Sequence, residues 1–496
     1  MVVPFDKSKD TDVLVIGGGP GGYPAAIRAA QLGARVTIIE ADKLGGTCLN
    51  WGCIPTKTMI GSVAALHTLK HASEFGLFAD NVGFDFTKVM SRKDKNVSAL
   101  VGGIGYLMKK NKIAHLHGFA SFVNASTVLV TKSDGTTQQV TANAVIVATG
   151  SVPTKLPIPG IESADIWHAN HEATSRVVDG TIAEGAIWSS NEAVTAKRVP
   201  ANLVVVGGGV IGVEFAYTYA GLGSKVTILE YLPRLIANLD ADLGAELGKI
   251  LKKSGVDIRT EVKVTEVADH PSGGKSVSYV GIDGNIQTID ADVVLVAAGR
   301  TPFTEGLNLD ATGITLGSDK GKRAIQVNAQ MQTAVSGIYA IGDVVGSGLA
   351  HTATAEGLVA AENICGHEAS MNYRSIPSCI YTEPEVASVG LSEEAARAQG
   401  HEIQVGTFTF RNLAKAMAIN ERDGFVKVVA DKKYGELLGF HIIGPHATDL
   451  IHEGVVSIQL ENTVKELMKT VHAHPSLAEA IGQATEDVMG MAIDKA

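Results

Sequence analysis

The sequence predicts an α/β protein with two Rossmann-like dinucleotide-binding domains and a C-terminal α+β domain. Three observations carry this. A glycine-rich strand–turn–helix–strand unit occurs twice, an apolar strand ending in glycine occurs twice, and the patterning changes after about residue 366. The chain has 496 residues, enough for about three domains at roughly 150 residues each and for a large buried core. Its 55 glycines point to many tight turns and close backbone approaches. No strict triplet period appears, so collagen is excluded, and 15 prolines are too few for a proline-rich disordered chain.

Charge and cysteine usage exclude further classes. The 42 basic residues are outnumbered by 52 acidic ones, and the net charge is −10. No basic run marks a nucleic-acid or membrane-surface partner. Apolar stretches such as Val13 to Ile27 are broken by glycine and proline, and none reaches the roughly 18 residues of a membrane-spanning helix. Residues 1–6 hold no basic region before an apolar run, so we expect no signal peptide. The expected protein is soluble, acidic and intracellular. Its expected setting is the cytoplasm, or the mitochondrial matrix after removal of a transit peptide. Four cysteines rule out a disulfide scaffold.

The first element of the repeat is residues 12–40, DVLVIGGGPGGYPAAIRAAQLGARVTIIE. The second is residues 202–230, NLVVVGGGVIGVEFAYTYAGLGSKVTILE, which aligns with it without a gap. This is the pattern of a dinucleotide-binding βαβ unit, and each glycine has a physical role. Gly17 and Gly207 make the tight turn. Gly19 and Gly209 let the backbone approach a pyrophosphate. Gly22 and Gly212 let helix pack on strand. The helix N-terminus then faces the phosphates. Glu40 and Glu230 end the second strand of each unit, where a carboxylate accepts from a ribose hydroxyl pair. The carboxylate of Glu230 also repels a 2′-phosphate, so it favours NAD over NADP, although Arg234 lies close in sequence.

Two apolar runs echo each other, Val145 to Gly150 and Val294 to Gly299, each with a proline three residues on. They read as buried parallel strands closing the two nucleotide domains. The strand Gly337 to Ile341 and the Gly342-Asp343 turn lie beyond both. After these, alternating strands such as Gly424 to Val429 mark a separate α+β unit. The expected boundaries are 1–160, 161–292, 293–365 and 366–496. Glu162 to Gly185 shows no periodicity and receives no role.

Six residues after Glu40 begins Gly46-Thr47-Cys48-Leu49-Asn50-Trp51-Gly52-Cys53-Ile54-Pro55-Thr56-Lys57. Only two cysteines cluster here, which disfavours a structural zinc site. In straight helix, five residues rise about 7.5 Å, beyond the usual reach between disulfide α-carbons. If the two pair, the segment is therefore not straight helix, and Gly52 supplies the freedom to distort it. Pro55 suits the start of the next helix. Cys53 would then lie near a helix N-terminus, which favours a thiolate. Cys365 and Cys379 read as packing thiols.

GGTCLNWGCIPTK beside one glycine unit, with a second unit later, resembles the flavin-dependent pyridine-nucleotide disulfide oxidoreductases. The likeness covers nearly the whole chain. It extends to His472-Ala473-His474-Pro475-Ser476-Leu477-Ala478-Glu479, where Ser476 replaces the family's usual threonine. The resemblance implies that the first domain and the 293–365 segment bind FAD, that the second domain binds NAD, and that the last is a dimerisation domain. It implies a redox-active Cys48–Cys53 disulfide and a Lys57–Glu214 pair beside the flavin. Asp343 would hold the ribityl chain, with Gly150 and Gly299 in the two cofactor sites. His474 would be the general base, oriented by Glu479 and serving the partner protomer of a homodimer. Ser476 and Glu479 also spell a helix capping box, so that one carboxylate would divide its contacts. His472 reads as structural.

The histidine run points to the branch of the family that oxidises dihydrolipoyl groups. No lipoyl-bearing segment precedes the first nucleotide strand, so the implied partners are lipoyl domains of a 2-oxo acid dehydrogenase complex or a glycine cleavage system. Two alternatives stay open on sequence: another NAD(P)H-dependent disulfide reductase, and a non-catalytic flavoprotein redox sensor.

Overall fold

The protein is described by a computed structural model covering residues 5–164, 186–317 and 323–495. The stretch from Glu162 to Gly185 therefore lies, from residue 165 onward, outside the described residues. Among the described residues no helix is long and apolar enough to cross a membrane.

The first glycine unit forms β1 (Thr11–Ile16), α1 (Gly22–Gln31) and β2 (Val36–Glu40). All of β1 is buried, as a parallel strand covered on both faces must be. Helices α2 (Gly46–Asn50), α3 (Cys53–Lys70) and α4 (Phe86–Lys110) follow, then β3 (Ala114–His117). Next come β4 (Phe119–Asn124), β5 (Thr127–Thr131) and β6 (Thr137–Val147). The length of β6 lets it serve two neighbours. Its first half pairs antiparallel with β5, and its last half lies parallel to β1. A short strand, β7 (Ser151–Pro153), then leaves this unit.

The second unit contains β8 (Ala186–Trp188), α5 (Ser190–Ala193), β9 (Asn202–Val206), α6 (Val210–Gly221) and β10 (Lys225–Leu229). It continues with α7 (Ala241–Lys253) and β11 (Asp257–Arg259). An antiparallel flap of β12 (Lys263–Asp269), β13 (Lys275–Val280) and β14 (Ile286–Ala291) precedes β15 (Val293–Val296). The parallel sheet runs β11-β10-β9-β15-β8.

The chain returns through β16 (Arg300–Pro302), which pairs with β7 as a two-stranded link between the units. A small ribbon of β17 (Leu316–Gly317) and β18 (Ala324–Ile325) follows. Strand β19 (Ile338–Ala340) then joins the first sheet parallel to β6, so residues far beyond the second unit complete the first. Helix α8 (Ala350–Ile364) packs on α1 so closely that a Cβ on Gly357 would lie 2.5 Å from the Gly21 carbonyl oxygen.

The remainder is a five-stranded antiparallel sheet, ordered β20-β21-β24-β23-β22, with helices against it. Its elements are β20 (Ser378–Ile380), β21 (Glu385–Gly390), α9 (Glu393–Ala398), β22 (Ile403–Thr409) and α10 (Ala414–Ala418). Then come β23 (Phe425–Asp431), β24 (Leu437–Gly444), α11 (Ala447–Gln459), α12 (Val464–Leu467) and α13 (Glu479–Asp487).

Two expectations need correction. The runs from Val145 and Val294 do not close their sheets. β6 lies between β1 and β19, and β15 lies between β9 and β8. Continuous apolar runs suit such interior places, where both faces are covered. For the same reason a boundary at residue 292 cuts the second sheet, because β15 is hydrogen-bonded to β9 from Val293 onward.

The second and C-terminal units are clamped by a buried cation. Lys427 on β23 lies 3.0 Å from Asp240, 2.7 Å from Asp242 and 3.0 Å from Glu393. Its side chain is 3% exposed and that of Asp240 1%. Removing one partner of such a pair strands the other charge. We therefore expect Lys427→Met to destabilise the protein by about 3–5 kcal/mol, seen as a lower urea midpoint. An unchanged midpoint would contradict the clamp.

Candidate active site

The two glycine turns are built alike. Gly17 has φ +104° and Gly207 φ +110°, a region that side chains rarely adopt. A Cβ there would also lie 2.2 Å from the Ala148 carbonyl oxygen, or 2.6 Å from that of Ala297. At Gly22 and Gly212 a Cβ would meet the preceding turn at 1.9 and 2.0 Å, so these glycines seat helix on strand. Gly209 faces open space, and Gly19 meets only Gly46 at 3.9 Å. Both border one cavity of about 2000 Å³, which runs from the first turn to the second. A cradle that leaves backbone open at both turns, with a carboxylate at the end of each β2-like strand, fits two dinucleotides.

The carboxylates brace the turns themselves. Glu40 accepts from the Gly18 amide at 2.6 Å and the Asp42 amide at 2.8 Å. Glu230 accepts from the Gly208 amide and from the Leu232 amide, the latter at 2.6 Å. Arg234 points elsewhere: it donates to Glu394 of α9 at 2.9 Å and does not line the cavity.

The cysteine segment is broken as its glycine suggests. α2 ends at Asn50, Gly52 has φ −134° and ψ −106°, and α3 starts at Cys53. Pro55 falls in the first turn of α3, where a missing N–H costs nothing. Cys48 and Cys53 are free thiols here, the dithiol form of the pair. Cys53 is drawn down to about 7, first by the hydrogen bond from Cys48 and against its burial, with the Lys57 ammonium helping. Cys48 is pushed up, because its S–H is held by Cys53 and it is buried. Two neighbouring thiols thus share one negative charge, placed on the residue at the helix N-terminus.

Lys57, one turn into α3, donates to both oxygens of Glu214 on α6, at 2.9 and 2.7 Å. Glu214 is 4% exposed, so the pair joins the first and second units across the cavity. The Tyr381 amide, just after β20, donates to the same carboxylate at 3.0 Å.

Asp343 lies in the turn after β19 and accepts from the Ser151 hydroxyl at 2.5 Å. Arg300 donates to that hydroxyl at 2.8 Å and to the Ser151 carbonyl at 2.6 Å. Gly150 and Gly299 precede these two strands and also border the cavity. Glu356 on α8 is fully buried and accepts from the Gly342 amide at 2.6 Å and the Tyr373 hydroxyl at 2.8 Å. Burial pushes its carboxyl up.

His474 and Glu479 are elsewhere. They do not border the cavity, and the His474 side chain is 72% exposed. The ring nitrogen Nδ1 lies 2.8 Å from one Glu479 oxygen, and the Ser476 amide donates to the other at 2.8 Å. The carboxylate therefore divides its contacts evenly. The Ser476 hydroxyl is buried without a partner, so the reciprocal half of the capping box is not made. Despite desolvation, these two contacts hold Glu479 below the usual carboxylate range. His472 donates its own contact to Glu453, at 2.8 Å.

Sequence reading passed over Arg300, Glu356 and Tyr381. Glu356 had a signal, a glutamate among the alanines of its helix. Cys379 packs against the C-terminal core as expected, and it also borders the cavity, where burial pushes its thiol up to about 11.

Comparison with known proteins gives consistent matches. Residues 11–357 match the family described as pyridine nucleotide-disulphide oxidoreductase, and residues 376–485 match the dimerisation domain of that family. The chain is 41% identical to a dihydrolipoyl dehydrogenase of Geobacillus stearothermophilus, over 99% of each protein. It is 40% identical to a mitochondrial dihydrolipoyl dehydrogenase of Pisum sativum, over 96% of this chain and 91% of the relative. Among solved structures, LpdA from Mycobacterium tuberculosis superposes with a TM-score of 0.84 at 27% identity, over 97% of this chain and 100% of that one.

The dithiol geometry makes a prediction. Removing the charge in Lys57→Met should raise the midpoint of Cys53 alkylation in the reduced protein from about 7 by roughly one unit. Cys48→Ala removes the larger contribution and should raise it further. The reverse ranking, read from the pH dependence of alkylation at Cys53, would contradict the shared-charge picture.

Proposed function

The chain belongs to the pyridine nucleotide-disulphide oxidoreductase family, and from that premise we propose that it oxidises dihydrolipoyl groups with NAD⁺ as acceptor. It is a flavin-dependent enzyme of the dihydrolipoyl dehydrogenase type, using FAD and NAD. It carries the family's dimerisation domain, which supports a homodimer. The observation that carries the proposal is the convergence of Cys48, Cys53 and the Lys57–Glu214 pair in a cavity spanning both glycine turns.

FAD, held by Asp343 and Glu40, would supply two-electron redox chemistry beside Cys53, and NAD⁺, held at the second glycine turn, would supply a hydride acceptor. The chain's own residues do the rest. In the oxidised enzyme Cys48 and Cys53 form a disulfide. A dihydrolipoyl thiol gives its proton to His474 of the partner subunit, and its sulfur attacks Cys48. The Cys48–Cys53 bond breaks, leaving its electron pair on Cys53 as thiolate. The second lipoyl thiol then attacks the lipoyl sulfur of the mixed disulfide, Cys48 leaves and takes up that thiol's proton, and the lipoyl group departs oxidised. Cys48 and Cys53 remain as the dithiol, with the charge on Cys53. Lys57 stabilises that thiolate. Glu479 holds the imidazole by one oxygen and so fixes its orientation.

Glu230 and the tethered Arg234 support NAD over NADP. Asp343, braced by Ser151 and Arg300, and Glu40 would hold the flavin nucleotide. The substrate in this reading is carried by lipoyl domains of a 2-oxo acid dehydrogenase complex or a glycine cleavage system, in the cytoplasm or the mitochondrial matrix.

Dihydrolipoamide with NAD⁺ should be turned over, and oxidised glutathione with NADPH should not. The opposite preference would replace this reading with that of a low-molecular-weight disulfide reductase. Sharing of the site is tested by mixing Cys48→Ser and His474→Ala proteins. Hybrid dimers should regain part of the activity that each lacks. No regain after confirmed subunit exchange would count against His474 acting across the dimer.

A further inference from the structure

Lys57 is restrained by more than its carboxylate. Its ammonium lies 4.6 Å from the ring centroid of Tyr381. The amide of the same residue donates to Glu214 Oε1 at 3.0 Å. Tyr381 therefore touches both members of the ion pair, with its ring on the cation and its backbone on the anion. A lysine stem is flexible and its ammonium is a point charge, so a carboxylate alone leaves it room to swing. A π-face on another side narrows that freedom.

The tyrosine belongs to neither unit that supplies the pair. Lys57 comes from α3 and Glu214 from α6, whereas Tyr381 follows β20 in the C-terminal sheet. Burial pushes its hydroxyl up to about 12, so near neutral pH the ring is uncharged and offers only its face. The groups facing Cys53 are Cys48, Lys57, Glu214, Arg300 and Tyr381, with Cys379 beside Tyr381 and Lys57. Of these, Tyr381 alone contacts the lysine through a ring and the glutamate through its amide.

We propose that Tyr381 is a positioning residue: its ring and amide fix the Lys57–Glu214 pair beside Cys53, so that the C-terminal unit sets the charge the thiolate feels. This rests on the reading of Cys53 as the thiolate of the redox pair. The conformation of β20 is thereby coupled to thiol chemistry in the first unit. The role is indirect, since Tyr381 acts through Lys57.

The test titrates Cys53 in the reduced holoenzyme, by the pH dependence of its alkylation read by mass spectrometry. Tyr381→Phe keeps the ring and should titrate like the parent. Tyr381→Leu and Tyr381→Met remove the π-face and should raise the Cys53 midpoint by roughly half a unit to one unit. Two such variants are used so that misfolding of one leaves the other. In a Lys57→Met background neither should add a further shift. The proposal is overturned by an unmoved midpoint in the Leu and Met variants, by an equal shift in the Phe variant, or by a shift that persists without Lys57. A purely structural role would lower the melting temperature and leave the midpoint in place. Dihydrolipoamide turnover by the parent enzyme is measured separately. Its absence alongside the expected titration would sink the substrate assignment and spare the role of Tyr381.

Discussion

The ion pair between Lys57 and Glu214 is the contact on which the rest of the site depends. It joins an α3 residue, one turn beyond Cys53, to an α6 residue just past the second glycine turn. Glu214 has almost no access to solvent, and an unpaired carboxylate there would carry a large desolvation cost. The fold meets that cost with Lys57 and the Tyr381 amide. The same cation then lies close enough to Cys53 to favour its thiolate. One half-buried pair thus links the two glycine units and places positive charge beside the sulfur.

The rest of the architecture delivers groups to that point. Each parallel sheet ends in a glycine turn whose backbone is open to the cavity and whose third glycine seats the helix. Each turn is braced by a carboxylate from its own second strand, so the repeat in sequence becomes a repeat in hydrogen bonding. Strand β19 brings Asp343 back to the first sheet, and Glu356 fixes the backbone of that turn. Two groups proposed for the reaction lie outside the cavity, His474 and Glu479, paired on the exposed end of the C-terminal unit. A chain that carries the family's dimerisation domain can supply them to a neighbouring copy.

Much of this was legible in the sequence because it is written locally. The glycine units carry their spacing and strand context within about thirty residues, and the two clustered cysteines stand apart from the other two. Glu214 was conspicuous as a charge in an apolar helix. What stayed hidden depends on contacts distant in sequence. Ser151 and Arg300 meet only because β7 and β16 pair. Tyr381 reaches Glu214 only because β20 docks beside α6. The interior position of β15 follows from its parallel pairing with β9, which no local pattern reveals. The capping box at Ser476 was read as a competitor for Glu479. In the fold only its glutamate half is made, so the second oxygen stays with His474.

The central claim is that Cys53, stabilised by Lys57, carries the thiolate of the reduced pair. It is tested most directly by the visible spectrum of the holoenzyme after two-electron reduction with NADH. The account predicts a long-wavelength thiolate–flavin charge-transfer band that titrates around neutral pH. In Cys48→Ser, which has no disulfide to reduce, the band should be present before NADH is added, and it should be absent from Cys53→Ser. A band that survives in Cys53→Ser, or its absence from the parent enzyme at every pH, would contradict the account.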